Sequence, residues 1–248
     1  MALNDLIEST YITKWKKEKA NQALRQRIFL KDIVLTEEFQ KINDAATASA
    51  NACIGGYFKL SPQEKDTFER KHQFNLIVTK LEDGRYALLT GLISYLTLEG
   101  ISQRRRFSHA KKKESGKIDT DFKEKKVKAF VVDFPYRVDF LNYCKETYDI
   151  SFNADIDYIK TDSSNTMNID SKKENELFEK ISNDASFFCP ITAIPIDGRL
   201  YPTENIEVYF AAKRANKSKI RVQILKNTGL PAYDTKEDGF ESNIEILF

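Results

Sequence analysis

The sequence has little of what punctuates or cross-links a chain. Cysteine occurs three times, at Cys53, Cys144 and Cys189, an odd number at long spacings. That fits no disulfide framework, and no CxxC pair exists to start a zinc site. Three reduced thiols in a cytoplasmic protein are expected. The two histidines, His72 and His109, are flanked by basic and polar residues. They exclude a His-rich metal centre, and neither sits in a recognisable nucleophile setting. No apolar run approaches the roughly 18 residues of a spanning helix, so no membrane partner is expected. The start, MALNDLIESTYITKWKKEKA, lacks the basic-then-apolar order of a secretory signal. Charge of one sign is lacking too. The 39 Lys and Arg nearly cancel 37 Asp and Glu, leaving +2 and excluding a uniformly basic coat.

What is present is enough for a packed protein. The 248 residues suit one or two domains and can bury a core without disulfides or metals. Seventeen Phe and eleven Tyr exclude a wholly disordered chain. Leu3, Leu6, Ile7, Tyr11, Trp15, Ala20, Ala23 and Leu24 recur at spacings near three and four. They predict a basic amphipathic helix over 1–27. IFLKDIVL at 28–35 reads as a strand. Thr36 opens a helix running through the alanines of 44–53, and Gly55-Gly56 should end it. Ser61-Pro62-Gln63-Glu64 is a capping-box helix start, with the helix reaching about Lys71. Two strands, 74–80 and 85–89, flank the Asp83-Gly84 turn. A short helix from Leu92 to Gly100 follows, then a basic loop to about Lys125. Val127–Asp133 is a buried strand and Tyr136–Tyr148 a helix.

Beyond 149 the reading is an acidic, polar linker over 150–185 with a short helix at Glu174–Ile181. A β-rich unit over 186–248 then contains SFFCPITAIPI, an Asp197-Gly198 turn, LYPTENIEVYFAAKR, KIRVQILKN and SNIEILF. Asp155, Asp157, Asp162 and Asp170 lack the glycine and terminal glutamate of a calcium loop. Glu204, Glu207, Lys213 and Arg214 read as surface charge, Tyr209 and Phe210 as core. No repeat of fixed period is visible. DGRYALL at 83–89 echoes DGRLYP at 197–202, which a shared turn explains without duplication.

The order from 28 to 133 carries a resemblance. IFLKDIVL at 28–35, FNLIVTKLEDGRYALLTGLISYLTLEGIS at 74–102 and VKAFVVD at 127–133 resemble a ParB/sulfiredoxin-like domain over about 27–135. The matching motif runs from Asp83-Gly84-Arg85-Tyr86 through Leu88 to Gly91, then Tyr95 and Gly100. The resemblance implies an α+β protein: a mixed ParB/sulfiredoxin-like core over 28–149 and the smaller β-rich C-terminal unit. It also implies a helix N-terminus facing a phosphate at Gly91, where backbone N–H groups collect an anion and nucleotide is a conceivable ligand. Members that bind nucleotide usually carry Arg or His-Arg just after that glycine. Here Leu92, Ile93 and Ser94 follow, so the fixed charge is absent.

The charge is also unevenly spread. Residues 104–128 carry +7, and residues 133–184 carry −6. Arg104, Arg105, Arg106, Lys111, Lys112 and Lys113 are therefore the candidate contacts to a DNA or RNA phosphate backbone. Phe107, His109 and Phe122 are interleaved among the cations, a pattern that permits base stacking on single strands. No catalytic or metal-binding residue and no cofactor is assigned. The leading expectation is a non-catalytic nucleic-acid-binding protein, with a plasmid, phage or mobile-element setting implied by the resemblance alone. Two alternatives stand. One is an interaction or inhibitor module directed at a host defence or replication protein. The other is a nuclease or nucleotide hydrolase at the Gly91 turn, with Arg85, Arg104 or Asp83 nearest to hand.

Overall fold

The computed structural model describes residues 2–19, 24–40, 44–161, 169–183 and 189–226. Its described residues form an α+β protein of two compact units. The described residues of one fall within Asn21–Phe140, those of the other within Met1–Ala20 and Leu141–Asp234.

The first unit starts with β1 (Arg25–Phe29), a 3-10 turn at Leu30–Asp32 and β2 (Ile33–Val34). Three helices follow, α2 (Glu37–Gln40), α3 (Asp44–Tyr57) and α4 (Pro62–Phe74), then β3 (Ile77–Lys80), β4 (Tyr86–Thr90), α5 (Leu92–Glu114) and β5 (Lys126–Val132). The strands lie in the order β1-β5-β3-β4-β2. β3 and β4 form the expected antiparallel hairpin, and β5 returns parallel to β3 with Ile77 opposite Phe130. The core joins Ile28, Val78, Leu88 and Val127 of the sheet to Tyr95 and Leu98 of α5. α3 meets α5 through Ala46 and Ala50 against Ile93, then Ile54 and Tyr57 against Ile101.

Several expectations about this unit need correction. The strand at 28–35 is two short strands around a 3-10 turn, and Arg25 to Arg27 belong to β1 rather than to the N-terminal helix. α3 continues through Gly55-Gly56, which face open space, because Ile54 and Tyr57 on its other side are buried. The capping box at Ser61 is formed: its hydroxyl accepts from the Glu64 N–H and the Glu64 carboxylate from the Ser61 N–H. The largest correction is α5. It does not stop at Gly100 but runs to Glu114, so the expected basic loop is helix over most of its cationic residues.

The second unit takes α1 (Leu3–Lys19), which buries Leu3, Ile7, Tyr11, Ile12 and Trp15. The chain re-enters this unit within α6 (Arg137–Thr147). β6 (Ile150–Asp155), a 3-10 turn at Ile156–Tyr158, α7 (Ser171–Asn183), β7 (Ile191–Ile196), β8 (Arg199–Glu204), α8 (Ile206–Arg214) and β9 (Lys219–Ile224) complete it. The segment expected to be a linker thus begins with a paired strand. IEVYFAAKR, expected as β, is α8, which buries Val208, Tyr209, Ala211 and Ala212. The strand expected at SNIEILF lies outside the described residues.

The two units repeat one design, which overturns the expectation that the shared turn needs no duplication. The second sheet has the order β6-β9-β7-β8, the same succession as β1-β5-β3-β4. β1 and β6 each run antiparallel to the last strand of their unit, and each is followed by a three-residue 3-10 turn. The first residue of that turn donates to the residue before the last strand: Leu30 N–H to Lys125 O and Ile156 N–H to Ser218 O, both 2.9 Å. Ile33 then pairs parallel with Tyr86, and Ile159 makes a parallel bridge to Leu200. In both hairpins the first strand has a register shift near its start. Both helices that follow start from a left-handed residue, Gly91 at φ 90° and Asn205 at φ 57°. Asp83-Gly84-Arg85 and Asp197-Gly198-Arg199 each begin eight residues before that position.

Candidate nucleic-acid interface

Fixed repeat positions show what α5 adds to the fold. In the second unit, 14 residues separate Asn205 from Lys219, the start of β9; in the first, 35 separate Gly91 from Lys126. The nine residues of α8 match Leu92–Gly100, the helix length the sequence led us to expect. The first unit therefore holds 21 residues more between the helix start and the last strand. All six expected contact residues lie in that surplus.

Up to Ile101 the helix is anchored, with Ile93, Ser94, Thr97, Leu98 and Ile101 buried. From Gln103 to Glu114 every residue is exposed except the half-buried His109. No apolar stripe holds these turns. They are carried by Gln, Arg, Ala, Lys and Glu, which are strong helix formers. The expected contacts divide in two. Arg105 points back into the unit, where its Nη2 bonds Glu69 Oε1 at 2.9 Å and the Tyr57 hydroxyl. Lys125 bonds the other oxygen of Glu69, and Tyr57 donates to Oε1 at 2.6 Å. Lys113 pairs with Asp121 at 2.6 Å, and His109 meets Phe122 edge to face at 5.7 Å between centroids. These contacts hold the returning segment against the helix. Arg106, Lys111 and Lys112 are exposed and have no ionic partner among the described residues. Arg104 lies over the Phe58 ring, 5.6 Å from its centroid.

Glu69 is the hub of the anchor and only 8% exposed. Burial pushes its carboxyl up, but hydrogen bonds from Lys125 and Tyr57 and the nearby Lys125 and Arg105 charges outweigh this and hold it below the usual range. Burial, with the bond to Glu69, pushes the Tyr57 phenol up to about 12. Sequence reasoning missed Tyr57, Phe58, Glu69 and Lys125. Only Lys125 stood in a flagged run; nothing in the spacing of the others pointed to α5.

The start of α5 is closely packed against the end of α4. A Cβ on Gly91 would lie 2.4 Å from the Asn75 carbonyl oxygen, so close approach of backbone requires glycine there. In the next turn Ser94 is fully buried, with its Oγ 3.1 Å from His72 Nδ1 and accepting from Asn75 Nδ2 at 3.3 Å. Burial and the neighbouring Lys71 push the His72 pKa down to about 4, so the ring is neutral at ordinary pH. Arg85 is occupied by Asp83 at 2.7 Å. Asn205 fills the same turn in the second unit by donating to the Pro190 carbonyl at 3.4 Å.

Among the described residues, no group of three or more His, Cys, Asp or Glu side chains could hold a metal ion. Asp162 lies outside them, and Asp155 stands 3.9 Å from Lys219. The three cysteines are free, and burial pushes the Cys144 thiol up to about 12. No described helix is long and apolar enough to cross a membrane.

No family model matches the chain, and no curated protein matches it. Among solved structures it is similar to sulfiredoxin from Arabidopsis thaliana, with 25% identity over 31% of this chain and 85% of that one, at a TM-score of 0.28.

Proposed function

We propose that the chain binds nucleic acid through its phosphate backbone, using the exposed half of α5. One observation carries the reading: the cations sit in the stretch by which the first unit exceeds the second, so the shared fold does not call for them. From Gly100 to Lys113 the helix bears no acid. Lysines in its last turn suit the helix dipole, but that effect fades within a turn, and Arg104 to Arg106 stand farther back. Arg105 and Lys113 tether the helix and its return. Arg104, Arg106, Lys111 and Lys112 are left to displace counterions from phosphates. Such contacts position a strand and carry no sequence information. The reading needs no catalytic residue and no cofactor.

The test is equilibrium binding to DNA and RNA oligonucleotides across a salt series. Affinity is expected to fall steeply with salt. Changing Arg106, Lys111 and Lys112 together to Ala should flatten the log–log slope by about 2–3. Absence of binding at low salt, or an unchanged slope in the triple variant, refutes the reading.

A further inference from the structure

The geometry points to single-stranded nucleic acid as the form this surface takes, with bases stacking on Phe107 and Phe58 around Arg104. This rests on the phosphate-binding reading above and adds the class of ligand. Three aromatic rings were candidates from the run of sequence, and the structure separates them. His109 and Phe122 are spent on each other. Phe107 is 73% exposed, the most open of the large hydrophobic side chains among the described residues. It follows Arg104 by three residues and precedes Lys111 by four, so all three lie along one stripe of the helix. Phe58, just past the end of α3, enters from outside the run, is 43% exposed, and has Arg104 over its ring.

An exposed phenylalanine alone means little on a protein surface. Here Arg104 already sits over the Phe58 ring, which meets Tyr57 edge to face at 5.2 Å. Arg104 also precedes the open Phe107 ring by one helical turn, with no acid between Arg104 and Lys111. Arg104 can then satisfy a phosphate while remaining against Phe58. Stacking needs bases whose faces are free, which a duplex withholds and a single strand offers. The duplex can still meet Arg106 and Lys112 by charge, so the surface favours single strands rather than excluding duplex.

The experiment measures fluorescence anisotropy of labelled single-stranded DNA, single-stranded RNA and the matching DNA duplex with the full chain. Single strands are expected to bind more tightly than duplex. Phe107→Ala should weaken single-strand binding about tenfold with the salt slope unchanged, and leave duplex binding as it was. Phe107→Trp should restore single-strand binding, while Phe107→Leu, equally apolar, should not. Phe58→Ala serves as a second site, checked by an unchanged melting transition. Equal binding of all three probes with no effect of Phe107→Ala overturns the single-strand inference and leaves the phosphate reading standing. No binding of any probe at low salt overturns both.

Discussion

At Gly91 two demands coincide: a left-handed backbone, and room for the Asn75 carbonyl within reach of an absent Cβ. Gly91→Ala should therefore cost about 2–4 kcal/mol in urea denaturation, since the conformational penalty adds to a backbone clash that no rotamer relieves. Gly100→Ala is the contrasting case. Its added Cβ meets only the end of the Ile54 side chain, and helix propensity rises by about 1 kcal/mol, so stability should change little. His72 supplies a pH dependence. Its folded pKa of about 4 lies below the ordinary 6.5, so the unfolded chain binds the proton first. Stability is complete above pH 6.5 and falls by up to about 3 kcal/mol as the pH drops to 4. His72→Gln should remove that part of the acid sensitivity, read from denaturation midpoints between pH 7.5 and 4.5. Glu69, held low, adds in the same direction, its stabilisation being lost as pH falls through its folded pKa. Glu69→Gln should destabilise the first unit by about 2 kcal/mol, because Lys125 and Arg105 lose their shared counter-charge.

α5 shows which elements could be read from the chain and which could not. The capping box at Ser61, the Asp-Gly turns and the strand at 126–132, which buries Val127, Ala129 and Phe130 but exposes Lys126 and Lys128, announce themselves through residues with one local use. The extension of α5 does not. Beyond Ile101 it buries nothing, so it has no hydrophobic period, and only the absence of Gly and Pro through Glu114 with abundant helix formers marks it. α8 misled for the opposite reason: Ile206, Val208, Tyr209 and Phe210 are β-prone, and their helix is imposed by burial. Of the candidate interface, the cations were legible as a charge run. Their division into tethered and free members was not, since it depends on Glu69, 36 residues away from Arg105. Replacing 101–121 with nothing, so that the helix returns as early as α8 does, gives a direct check. The variant should keep a cooperative melt of somewhat lower midpoint and lose nucleic-acid binding.

For the whole molecule, the repeated design was visible in sequence only as the Asp-Gly-Arg echo and its equal distance to a left-handed helix start. The rest lies in hydrogen-bond register, which tolerates different side chains. Insertions placed almost wholly in the first unit hide the period: three helices stand between β2 and β3, but only α7 among the described residues between Ile159 and β7. The second unit differs in another way, taking its first helix from the stretch that precedes the first unit. Removing residues 2–19 should strip amide-exchange protection from β6 and β9 while leaving β3 to β5 protected, as read by mass spectrometry. That arrangement also bears on biosynthesis. The described residues of the first unit all fall within Asn21–Phe140, a stretch that can fold once it clears the ribosome. α1 is made ahead of the strands it packs on and finds no β6–β9 sheet until residue 224 has been made, about 200 residues later. At about 5–20 residues per second, Tyr11 and Trp15 stay without their final neighbours for about 10–40 s. During that interval the nascent chain trails an apolar, basic helix that a chaperone or the ribosome surface can hold.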